Sequence, residues 1–220
     1  MSGGPGSEDV PAPTVAELVE RVLDGPDPAR IVQAGHPVLR TPAQRYDGGL
    51  DDETFGELLA LMRRTMHAAP GVGLAAPQIG IPLAIAVVED PGALDPDVLR
   101  VRERPPLAYR VLVNPRYAPV DDERVSFYEG CLSVRGWQAV VPRYRRVRLT
   151  GQDETGRELD EVVSGWPARI VQHETDHLDG TLYVDRAVTR SLVTDTGLGA
   201  ALASEPAPTT AARVLGFPPA

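Results

Sequence analysis

The decisive stretch is Gln172-His173-Glu174-Thr175-Asp176-His177-Leu178-Asp179-Gly180. It contains His-Glu-x-x-His. On a helix, residues four apart lie one above the other on the same face. His173 and His177 at that spacing suit one divalent cation, and Glu174 falls beside the cation's open position, where a carboxylate can take a proton from water. The surroundings favour a helix. Ser164 is placed to cap its start, Pro167 suits its first turn, Ala168 to Leu178 contains no breaker, and Gly180 fits its end.

The chain has 220 residues with four His and one Cys, so two of the four His stand in this motif. A chain of this length makes one domain with extensions, or at most two small domains. Apolar residues make up 42% and charged residues 24%, the balance of a globular protein with a sizeable core. Net charge is −9, which does not favour direct binding of nucleic acid or an anionic membrane surface. All 22 basic residues are Arg. A lone Cys forms no internal disulfide, which fits a reducing cytoplasm, and no apolar run is long enough for a membrane span.

Outward from the motif, residues 1–13 are rich in Gly, Pro and Ser and read as disordered. In 14–30, Thr14 and Glu17 form a capping box, and Val15, Leu18, Val19, Val22 and Leu23 recur at helical spacing. That amphipathic face needs a partner, either the main domain or a second copy, so the oligomeric state stays open. Asp51 and Asp52 begin a second helix striped with Phe55, Leu58, Leu59, Met62 and Met66. His67, at its end, reads as a charge partner. Gly71 to Gly80 holds small residues that let other chains approach its backbone.

Leu83 to Val88 reads as a buried strand, 90–108 as a surface loop, and Tyr109 to Val113 as a strand ended by Asn114-Pro115. Trp137 to Val141, Arg146 to Thr150 and Glu158 to Val163 read as antiparallel strands, with a turn at Asp153 to Gly156. Tyr183-Val184 reads as a short extended piece. Residues 188–220 read as a loosely held tail. The fold class is therefore α+β, with antiparallel β-sheets packed around a central metal-binding helix carrying His-Glu-x-x-His.

Cys131 sits in a Gly-flanked turn between strands. A lone Cys is often a small buried hydrophobe. As a thiolate it would complete one Cys and two His ligands and leave a position open, the catalytic arrangement.

Three segments, Gly71–Gln78, Glu129–Ser133 and Gln172–Gly180, resemble the signature motifs of peptide deformylases: G-x-G-L-A-A-x-Q, E-G-C-[LE]-S and Q-H-E-x-D-H. They occur in the family's order, and the resemblance spans residues 31–187. It implies a hydrolase that removes the formyl group from N-formyl-methionyl nascent peptides and releases formate. It implies Cys131, His173 and His177 as metal ligands and Glu174 as the proton-accepting carboxylate. Gln78 and the Leu132 N–H are the implied donors to the developing oxyanion. Gly71, Val72 and Gly73 resemble the segment that pairs with the peptide backbone, and Ile170, with Val72 and Leu132, is a candidate wall for the methionine side chain. Ferrous iron is the implied metal, with Zn(2+), Ni(2+) or Co(2+) able to take its place. A transient ribosome contact follows from that role, although the tail carries no basic helix.

The sequence departs from many bacterial members at Arg135 and Gln138, and 165–170 resembles the mitochondrial-type branch. Other readings stay open. One is a zinc endopeptidase. Another is a deformylase-like enzyme acting on a different formylated substrate or in inhibitor resistance. A third is a closed structural metal site with His67 or Asp176 as fourth ligand.

Overall fold

The structure is a computed structural model and describes residues 13–218. The disorder expected for 1–13 therefore falls, apart from Pro13, outside the described residues.

Helix α1 (Val15–Leu23) begins at the expected capping box, with Thr14 and Glu17 bonded to each other's backbone N–H. Its apolar face lies on the main domain: Val19 is fully buried, and Val15, Val22 and Leu23 pack against the same core as helix α2 (Asp52–Ala68). Asp51 caps α2 through the Thr54 N–H.

Strands β1 (Gly73–Ala75), β2 (Ile85–Asp90), β3 (Leu107–Pro119), β6 (Arg146–Gln152) and β7 (Glu158–Ser164) form an antiparallel sheet in the order β1-β2-β3-β6-β7. Strands β4 (Arg124–Cys131), β5 (Val134–Tyr144) and β8 (Val193–Thr194) form a second antiparallel sheet. Side chains alternate across the larger sheet. Leu74, Ile85, Val87, Val111 and Val113 face α1 and α2. Ala75, Ala86, Val88, Leu112 and Leu149 face helix α4 (Gly165–Leu178). Burial on both faces explains the unbroken apolar run at 83–88. Phe127 of β4 joins the α4 core, so α4 sits between the two sheets. This is the α+β arrangement expected, with the motif helix at its centre.

Several local expectations need correction. Residues 96–102 form helix α3 (Pro96–Arg102), where a loop was expected. Asp95 caps it by accepting from the N–H groups of Asp97 and Val98, and Pro96 stands at its first position, where proline starts a helix. Asn114-Pro115 does not end its strand. Asn114 adopts a left-handed φ of 51°, the register shifts between Val113 and Arg116, and β3 runs on to Pro119.

Ser164 occupies the N-cap of α4 but makes no side-chain cap bond; the first N–H groups donate instead to the carbonyls of Arg145 and Glu103. Tyr183–Asp185 is a 3-10 turn, not an extended piece.

The segment after 190 is folded, against the expected loose tail. β8 pairs with β5, and helices α5 (Gly197–Ser204) and α6 (Thr209–Leu215) follow. Leu202, Ala203, Ala211, Ala212 and Phe217 bury themselves against Tyr128 and Val140.

Candidate metal centre

Cys131 ends β4 and faces α4. One ligand atom each from Cys131, His173 and His177 lies within 4.8 Å of the other two. Cys131 Sγ is 3.2 Å from His177 Nε2. No other metal-holding group of three occurs among the described residues. Two ligands come from one helix and the third from the smaller sheet, so the centre exists only because α4 packs between the sheets.

The donor set fits a divalent cation. Burial holds the His177 pKa well below that of a free imidazole, aided by His173 and Arg143, so the ring is neutral as a ligand must be. Its Nδ1 is buried without a partner. Burial also depresses His173, but its bonds to Cys131 and Glu129 outweigh that and raise its pKa well above the ordinary value. Sulfur and carboxylate thus favour positive charge at the point where a cation would supply it.

His173 is aimed by Glu129, whose Oε2 lies 2.9 Å from Nδ1. This leaves Nε2 for the centre. Glu129 also accepts from Arg143 at 2.7 and 2.9 Å and from Arg169. Arg143 donates in turn to Asp176 at 2.6 Å, and Asp176 accepts from Arg186 and Tyr117. Glu129, Arg143, Arg169 and Asp176 are all buried. Burial opposes the Glu129 charge, yet Arg143 and Arg169 hold its pKa well below the usual carboxylate range. None of these supports was picked out from sequence. The only hint was Glu129, which opens the Glu-Gly-Cys segment.

The closed-site reading fails on geometry. Asp176 is committed to Arg143, Arg186 and Tyr117, and His67 lies 2.8 Å from Glu89 at the surface.

Glu174 is buried, and its Oε2 has no hydrogen-bond partner. Burial pushes its pKa up to about 7, against the pull of His173 and Arg143. A carboxylate so placed is ready to exchange a proton near neutral pH. Gln78 is oriented at its other end: Oε1 accepts from the Ala75 N–H at 2.8 Å. Its Nε2 then points to Cys131 Sγ at 3.6 Å and Ser133 Oγ at 3.3 Å.

A cavity of about 720 Å³ opens over the centre, lined in part by Gly71, Val72, Gly73, Leu132, Ile170 and Glu174. Strand β1 is the edge of its sheet beside this cavity. Val72 O accepts from the Glu89 N–H, and alternation along β1 turns the N–H and C=O of Gly73 away from β2. Of the site residues read from the sequence, all but the buried His177 line this one cavity.

Comparisons with known proteins point to one family. A family profile described as Polypeptide deformylase matches residues 28–192. Peptide deformylase 1 of Streptomyces coelicolor is 55% identical over 214 residues, covering 97% of this chain and 96% of that one. Peptide deformylase 3 of Streptomyces avermitilis is 56% identical over 203 residues, covering 92% and 90%. Among solved structures, the Met-Ala-Ser-bound class I type b peptide deformylase from Acinetobacter baumannii superposes with a TM-score of 0.65 at 33% identity, covering 72% of this chain and 97% of that chain.

Proposed function

The chain belongs to the polypeptide deformylase family, and from that premise we propose that Cys131, His173 and His177 hold its metal and Glu174 is its base. The activity is hydrolysis of the N-terminal formyl group of newly made polypeptides, with release of formate. The observation that carries the residue assignment is the convergence of one sulfur and two imidazoles beside a buried carboxylate with a free oxygen.

When bound, a divalent cation polarises the formyl oxygen and lowers the pKa of water from ~16 to roughly 7. Glu174 accepts the proton of the attacking water and later delivers it to the departing amine. The Gln78 amide and the Leu132 N–H donate to the formyl oxygen as it gains charge; fixed donors of this kind are worth ~3–4 kcal/mol each. The open edge of β1 holds the peptide as an added strand through Gly73, between Gly71 and Val72 on one side and the β4–β5 turn on the other. Ile170 lines the pocket for the methionine side chain.

Ferrous iron is the metal we assign, since thiolate and imidazole suit it as well as zinc. Substrates are N-formyl-methionyl chains met in the cytoplasm as they emerge from the ribosome. Among the described residues no helix is long and apolar enough to cross a membrane.

The test is formate release from formyl-Met-Ala-Ser by wild type and Glu174→Ala, with metal content measured on both. Loss of turnover with metal retained supports the assignment. Full turnover by a metal-loaded Glu174→Ala protein removes Glu174 as the base.

A further inference from the structure

Trp166, Arg169, Ile170, His173 and Glu174 recur at three- and four-residue spacing along α4, and all line the cavity. The cavity therefore follows one helix face from the reaction centre back to the first turn of α4. Two turns, about 10 Å, separate His173 from Trp166.

Arg102 and Arg104 also line the cavity, and their guanidinium carbons lie 5.3 and 5.0 Å from the Trp166 ring centroid, so they belong to this far end. Arg104 is neutralised by two bonds to Asp90, and Arg169 by Glu129. Arg102 has no carboxylate partner among the described residues. Its Nε and Nη2 donate to the carbonyls of Pro206, Ala203 and Glu205 in the C-terminal segment. Its Nη1 makes no hydrogen bond among the described residues. A nine-tenths buried cation thus keeps a donor with no protein partner at the Trp166 end of the cavity.

An unoxidised methionine leaves that donor unused. The oxygen of methionine sulfoxide is a strong acceptor on a side chain of nearly the same shape. We infer that the Arg102 end of the pocket accepts such an oxygen, so the enzyme also deformylates chains that begin with N-formyl-methionine sulfoxide. This rests on the reading of the Ile170 pocket as the site of the first side chain. The chemistry is the same hydrolysis: the formyl C–N bond breaks, water supplies the new C–O bond and the proton of the amine, and the sulfoxide is unchanged.

The experiment compares kcat/KM for formyl-Met(O)-Ala-Ser and formyl-Met-Ala-Ser on full-length protein. Wild type is expected to process both within tenfold of each other. Arg102→Met is expected to lower the sulfoxide-to-methionine ratio at least tenfold, and Arg102→Lys, which keeps the charge, to stay within tenfold of the wild-type ratio. Both substrates are read on one preparation, so the ratio does not depend on the folded fraction. Wild-type discrimination beyond tenfold against the sulfoxide, or a smaller change in Arg102→Met, overturns the inference. If formyl-Met-Ala-Ser itself releases no formate, it is the underlying reading that has failed.

Discussion

Gly73 and Glu174 occupy space that only one side chain can fill: a Cβ on residue 73 would lie 2.2 Å from Glu174 Oε1 and 2.5 Å from its Cδ. Gly73 sits in a regular strand and its φ is not positive. Its glycine therefore serves close approach, not an unusual backbone.

Gly73→Ala forces the Glu174 carboxylate to move. A displacement of about 1 Å at a reacting group costs on the order of a hundredfold. We expect kcat/KM for formyl-Met-Ala-Ser to fall by at least that much, while circular dichroism and metal content stay as in wild type. Unchanged turnover would show that the carboxylate has room to spare.

Glu129→Gln leaves Arg143 and Arg169 without their shared buried counter-charge and weakens the hold on His173 Nδ1. Breaking a buried pair from one side costs ~3–5 kcal/mol. Loss of the group that orients a metal-binding His lowers metal affinity ~10–100-fold. Denaturant titration and competitive metal titration read the two effects separately.

Gln78→Ala removes one proposed donor to the oxyanion, together with its 3.6 Å contact to Cys131 Sγ, and leaves the three ligand side chains themselves in place. The expected result is a fall in kcat of ~100–1000-fold with metal content retained. A rise in KM alone would place Gln78 in ground-state binding instead.

Much of the centre was legible because its chemistry is written in short spacings. Two His four apart on a helix, with Glu between them, need no tertiary information. Cys131 needed only the choice between buried hydrophobe and ligand, and the packing of β4 against α4 brings it to the two His. The supporting charges were not legible. Asp176, Arg143 and Arg169 look in sequence like solvated charges, and only the apposition of β5 and α4 buries them together.

The C-terminal segment hides its order in the sequence for a related reason. Its Ala, Pro and Thr give little hydrophobic contrast, yet small residues such as Ala211 and Ala212 pack closely against Leu202 and Phe217. At Asp95-Pro96 the signal is a local one, a capping carboxylate followed by a proline that begins a helix.

That folded segment makes its own prediction. Leu202 is buried with Phe217 and Val193. Leu202→Ala is expected to destabilise the segment by ~2–5 kcal/mol, the cost of a large-to-small change in a packed core. Hydrogen exchange should show protected amides in 209–215 of wild type and faster exchange in the variant. Fast exchange in wild type would contradict the packing described.

The central claim is that one sulfur and two imidazole nitrogens share a single cation. X-ray absorption on anaerobically purified, iron-loaded protein tests it most directly. The account predicts one metal per chain with one sulfur scatterer near 2.3 Å and two histidine rings, a distance taken from thiolate sites in general, and loss of the sulfur contribution in Cys131→Ser. A metal bound stoichiometrically with no sulfur neighbour in the wild-type protein would contradict it.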